Sequence, residues 1–214
     1  MMFMAQDVAL SELERDALTE LVNIGVSRAA SSLRKMIGEE VLLSVPSIEI
    51  MAPQDAVRLI GERETDELVA IQQQFEGAFS GQALLIFPQS ISVDLVRAII
   101  GGDVPPDQIS EMEQEALAET GNVILNGCLA TMANMLKRSL SISLPEVVRG
   151  DGSRLFRLVQ PRADDGLVLF LYINFSVRNR DIRGYIAMLM DLPSLAALKE
   201  LIASFIHRVI GDEA

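Results

Sequence analysis

The sequence predicts an α+β protein, internally duplicated, with a pseudo-twofold αβ architecture. An antiparallel-rich sheet shared by the halves would be flanked by two long helices and two shorter ones. Three observations lead there. Residues 11–46 and 110–145 align without a gap at an offset of 99, with ten of 36 pairs identical. Both segments open on a helical pattern and end in a strand-like stretch that meets a proline, Pro46 or Pro145. Apolar runs separated by short polar breaks then follow in each half, as in hairpins.

The elements follow in order. Ser11-x-x-Glu14 and Ser110-x-x-Glu113 each read as a capping box opening a long helix, because the paired side chains satisfy free amides of the first turn. These helices should run to about Gly38 and Arg138. Strands are expected near Val41–Met51 and Ser141–Val148, with the prolines marking an edge strand or a bend. An irregular connection leads to paired strands at Leu68–Phe75 and Phe79–Phe87, and at Leu167–Val177 and Ile182–Met190. Glu76-Gly77 and Arg178–Asp181 would be the hairpin loops. The offset of 99 continues weakly through Leu68/Leu167 and Val69/Val168. It then slips by four residues, matching Gly81–Phe87 to Gly184–Met190. A shorter helix over Ser90–Ile100 stops at Gly101-Gly102. Another starts at Asp191-Leu-Pro193 and runs to about Val209. The breaker-rich Gly101–Pro106 is the expected seam, giving repeats 1–102 and 103–214 that form one globular unit.

Composition narrows the function. Half of the 214 residues are hydrophobic and 22% are charged, an ordinary globular balance. A net charge of −12 without a basic run argues against nucleic acid or an anionic membrane as partner. No apolar run is long enough to span a bilayer. The first residues lack the basic start of a secretory signal. One cysteine, Cys128, permits no internal disulfide and fits a cytoplasmic setting. One histidine, His207, leaves no His-based metal cluster, and no phosphate-binding glycine loop is present. Cys128 reads as a small buried residue, and His207 as capping its helix or facing solvent.

The chemistry-bearing pattern is a polar stripe. At ~100° per residue, with Asp16 at zero, Glu20 falls at ~40°, Asn23 at ~340° and Ser27 at ~20°. Leu13, Ala17, Leu18, Leu21 and Ile24 occupy the arc to one side, as in an amphipathic helix. Arg28 intrudes on that arc. The second helix repeats the stripe with Glu115, Glu119, Asn122 and Asn126. Solvated faces are usually polar, but asparagine is a poor mid-helix residue. Its retention in both copies, while Leu21-Val22 became Thr120-Gly121, points to use.

Glu20-Leu-Val-Asn23-Ile-Gly25 and Glu119-Thr-Gly-Asn122-Val-Ile-Leu-Asn126, each with 22 residues between its asparagine at 23 or 122 and its proline, resemble the CheC family. The resemblance covers essentially the whole chain and departs from the pattern at Glu115, where the family has Asp or Ser. It implies a phosphatase acting on the aspartyl phosphate of the chemotaxis response regulator CheY. Asn23 and Asn122 would orient the hydrolytic water, and Glu20 and Glu119 would dock on the receiver's lysine. Asp16, Ser27, Glu115 and Asn126 would support substrate binding. Both sites are expected to contribute. The chain would need no cofactor of its own, since Mg²⁺ belongs to the receiver. The family also admits the receptor deamidase CheD as a partner. The alternative is a non-catalytic adaptor that binds a receiver or CheD in the chemotaxis or flagellar switch system. An appended flagellar rotor domain is not expected before Ala214, and a monomer is expected because the duplication already supplies a pseudo-twofold.

Overall fold

A computed structural model describes residues 9–100, 106–159, 166–177 and 180–211. Helix α1 (Glu12–Ile37) opens on the expected capping box: Ser11 N–H donates to Glu14 Oε2 at 2.8 Å, and Glu14 N–H donates to Ser11 Oγ at 3.3 Å. It stops at Gly38, whose φ of 76° is the left-handed conformation that glycine adopts most easily. Strands β1 (Val41–Ser44) and β2 (Ile48–Met51) follow, then α2 (Pro53–Arg63), β3 (Leu68–Gly77), β4 (Gly81–Pro88) and α3 (Gln89–Ile100). The same order recurs as α4 (Pro106–Met135), β5 (Leu140–Ile142), β6 (Glu146–Gly150), α5 (Gly152–Val159), β7 (Leu167–Val177), β8 (Arg180–Met190) and α6 (Leu192–Gly211).

The strands interleave between halves. The sheet runs β1-β7-β8-β4-β3-β5, with β2 also on β7 and β6 also on β3, and every pairing is antiparallel. Each half therefore lends its first two strands to the other half's hairpin. At the centre, Leu85 pairs with Ile186, flanked by Leu84–Ala187 and Ile86–Tyr185. This pattern maps onto itself and marks the pseudo-twofold.

Both faces of the central strands are covered, so they read as apolar runs rather than alternating ones. One face, with Val69, Ile71, Phe75, Leu169, Leu171 and Phe175, packs against α1, α3, α4 and α6. The other, with Leu68, Ala70, Val168, Phe170 and Tyr185, lies under α2 and α5. Edge strands β1 and β2 are covered less and lie either side of Pro46, the bend that the proline predicts.

Several expectations change. The irregular connections are the helices α2 and α5. Pro53 at the first turn of α2 supplies the fixed φ that starts a helix, and Ala56 and Ile60 one turn apart bury its inner side. Ser110 is not an N-cap, because α4 begins at Pro106 and has passed it by a turn. Glu113, freed from capping, instead pairs with Arg149 on β6 at 3.2 Å and accepts from Gln89 Nε2 at 3.4 Å. The offset also drifts. Val168 pairs with Met51 and Leu68 with Gly150, so Val168 corresponds to Leu68 rather than to Val69. The one-residue error would turn the strand over, since side chains alternate between faces. In β4 and β8 the offset is 101, not the 103 implied by matching Gly81 to Gly184. Residues 101–105 of the expected seam, and positions 178–179 of the expected β7–β8 loop, lie outside the described residues.

Candidate functional site: two helix stripes of unequal build

On α1, burial of Leu18, Leu21, Val22, Val26 and Leu33 against the sheet turns the opposite side outward. Asp16, Glu20 and Ser27 are exposed there, and Asn23 is half-buried where the helix meets the strands. On α4, Leu117, Ile124, Leu125 and Leu129 are buried, Glu115 and Glu119 are exposed, and Asn122 and Asn126 are half-buried. Asp16, Glu20, Glu115 and Glu119 make no ion pair or side-chain hydrogen bond among the described residues. Each helix thus presents two carboxylates in water, available to a cation on a partner.

The helices meet closely. A Cβ on Gly25 would lie 2.8 Å from Cys128 Cα and from Gly127 O. Arg28, which intrudes on the apolar arc in sequence, spans this contact with Nη1 at 3.5 Å from Thr131 Oγ1. Cys128 is fully buried, and burial pushes its thiol up to about 12. That is the expected packing residue and not a nucleophile. His207 is exposed on α6.

The two asparagines are held differently. Asn23 clamps the β1–β2 connection: Val45 N–H donates to its Oδ1 at 2.9 Å, and its Nδ2 donates to Val45 O at 3.1 Å. Both ends of that amide are engaged by one backbone residue, and Val45 is 1% exposed. At Asn122, Oδ1 accepts from Asn126 Nδ2 at 2.7 Å and from Gln73 Nε2 at 3.2 Å. Asn126 is therefore aimed at Asn122 rather than outward. No protein acceptor faces Asn122 Nδ2 among the described residues. The β5–β6 connection is held instead by β3: Gln72 Nε2 donates to Glu146 at 2.7 Å, Gln73 Nε2 to Ser143 O at 2.8 Å, and Gln74 N–H to Ser143 Oγ at 2.9 Å. Leu144, the counterpart of Val45, is left 86% exposed beside the second stripe.

The sequence reading passed over Gln73. The available signal was a glutamine at an inward position between Ile71 and Phe75, where the strand period calls for an apolar residue.

A separate cavity of about 560 Å³ lies on the α2 side of the sheet, lined by Arg63, Glu64, Tyr172 and Tyr185 among others. There Arg63 stacks on Tyr172, 4.5 Å from the ring centroid, and the Tyr185 hydroxyl donates to Glu64. Burial and that hydrogen bond push the Tyr185 phenol upward. This cavity shares no residue with the stripes. Among the described residues no helix is long and apolar enough to cross a membrane.

The family model of the chemotaxis phosphatase CheX matches residues 69–162, and the CheC-like family model matches residues 13–50. The first span contains Gln73, Glu119 and Asn122, and the second contains Glu20 and Asn23. The flagellar motor switch phosphatase FliY of Bacillus subtilis (strain 168) is 24% identical over 209 residues, covering 95% of this chain and 52% of FliY. The chain thus spans about half the length of that relative. The CheY-P phosphatase CheC of the same organism is 27% identical over 141 residues, 64% of this chain and 67% of CheC. Among solved structures, Thermotoga maritima FliY has a TM-score of 0.73 at 16% identity, covering 92% of this chain and 99% of that one. A chain of the H. pylori FliG–FliM complex reaches 0.66 at 12% identity, with coverages of 89% and 100%. At these identities the structural likeness speaks to the fold.

Proposed function

Because the chain belongs to the CheC family, of the CheC, CheX and FliY type, we propose that it removes the phosphoryl group from the aspartyl phosphate of a CheY-type receiver. The observation that carries this is the pairing, on each long helix, of a free exposed glutamate with an asparagine one turn on. In the hydrolysis, a water oxygen bonds to phosphorus as the bond from phosphorus to the aspartyl oxygen breaks. The electron pair leaves with the carboxylate, and the water's protons stay with the phosphate released. Mg²⁺ bound by the receiver is part of the substrate. The chain's residues supply position: Glu119 or Glu20 meets the receiver's lysine, and the neighbouring asparagine enters to hold the water in line. An amide suits this because it can both donate and accept. Asp16, Ser27 and Glu115 flank the contact, and Asn126 supports Asn122 from behind.

The second reading is an adaptor that docks on a receiver without hydrolysis. The engagement of both ends of the Asn23 amide by Val45 favours it for the first stripe.

Docking is tested by charge reversal. The double variant Glu20→Lys/Glu119→Lys is expected to weaken binding of a phosphorylated receiver at least tenfold, about 1.4 kcal/mol, with the fold unchanged because both residues are exposed. Fluorescence titration of a labelled receiver reads the affinity. Unchanged affinity would place docking elsewhere. Tight binding by the native chain without faster phosphate loss would leave the adaptor.

A further inference from the structure

We infer that Gln73 is a positioning residue that fixes which end of the Asn122 amide faces the substrate; the inference rests on the phosphatase reading. The hydrogen bonds themselves set the direction. Ser143 O is a carbonyl oxygen and can only accept, so the Gln73 atom 2.8 Å from it must be the nitrogen, Nε2. That same nitrogen meets the Asn122 amide at 3.2 Å, so the Asn122 atom there must be the oxygen. Asn126 Nδ2 donates to this oxygen as well, at 2.7 Å. With its oxygen held by two donors, Asn122 turns its NH₂ group away from the sheet. A donor is left for the attacking water or a phosphoryl oxygen.

The other half shows what happens without the glutamine. Ile48 pairs with Leu171 and Val147 with Ile71, which makes Ile173 the counterpart of Gln73. Ile173 is 2% exposed and cannot donate. Asn23 accordingly closes on the Val45 backbone with both ends of its amide. The fold thus accepts an apolar residue at this place. Gln73 nonetheless sits there 1% exposed, with a buried Oε1 that has no partner. An unpartnered buried oxygen is costly, and the two hydrogen bonds donated by Nε2 to Ser143 O and Asn122 Oδ1 offset that cost. Gly121 makes the contact possible by letting α4 approach Ile71 on β3.

The test uses Gln73→Met, which keeps the length and removes the donor. In the otherwise native chain and in Asn23→Ala, turnover of a phosphorylated receiver is expected to fall by about tenfold while KM changes less than about twofold. In Asn122→Ala the same substitution should cause no further fall, because the group it orients is gone. Side-chain amide NMR provides a readout independent of chemistry: the Asn122 and Asn126 NH₂ signals should shift in Gln73→Met while those of Asn23 stay in place. An equal fall in the Asn122→Ala background, unaltered turnover, or unmoved Asn122 and Asn126 signals each overturn the inference. If the NMR response appears but the native chain never accelerates phosphate loss, the orientation stands and the phosphatase reading is what fails.

Discussion

Replacing Asn122 with alanine is expected to slow discharge of a phosphorylated receiver by about a hundredfold, which corresponds to ~2.7 kcal/mol of barrier. Its stability should change little. The side chain is half-buried, and Gln73 keeps its bond to Ser143 when the asparagine is gone. Asn23→Ala should behave in the opposite manner. It leaves the N–H and carbonyl of Val45 without the partner they have now, in a residue that is 1% exposed. Each such group costs ~1–3 kcal/mol when left unsatisfied in the interior. Urea denaturation should therefore show Asn23→Ala less stable by about 2–6 kcal/mol. Equal stability losses in the two variants would mean that the Val45 clamp carries no weight.

The second large effect is expected at Gly121→Val. An added Cβ there would lie 2.4 Å from Ile71 Cγ2 and 2.6 Å from Ile71 Cβ. Ile71 is fully buried in β3, paired on one side to β4 and on the other to β6, so it has nowhere to go. Overpacking of this kind costs ~1–3 kcal/mol and more where the backbone must shift. The helix would be pushed off the sheet at the residue next to Asn122, so activity should fall with stability. Valine is not at fault by type, since Val22 holds the corresponding place on α1 and is fully buried. A Gly121→Val chain with native stability and native turnover would contradict the packing described here.

Much of the fold was legible because local signals and the repeat agreed. Ser11 and Glu14 mark the start of α1, Gly38 marks its end, and the prolines at 46 and 145 mark breaks in the strands that follow. What stayed hidden depends on contacts between distant residues. The amphipathic α5 is only eight residues long, barely two turns of pattern, and it takes its place through contacts with β6 and α2. The lending of β1 and β2 to β7 leaves no mark within either half. The drift of the repeat register is invisible to identity matching, since leucine and valine stand at both candidate positions, and only the alternation of faces resolves it. The stripes were readable, because Asp16, Glu20, Asn23 and Ser27 share one side of a helix. Their inequality was not. It arises from Gln73 and its counterpart Ile173, which lie 49 and 150 residues along the chain from Asn122 and Asn23.

If Asn122 on α4 accelerates loss of the receiver's phosphoryl group, the most direct measurement is the decay of a phosphorylated CheY-type receiver mixed with a substoichiometric amount of the native chain or of Asn122→Ala. The native chain is expected to shorten the lifetime of the phosphoryl group through repeated turnover, and the variant to leave it near the receiver's own rate. Equal acceleration by both proteins would contradict the account, and so would decay at the receiver's own rate with the native chain.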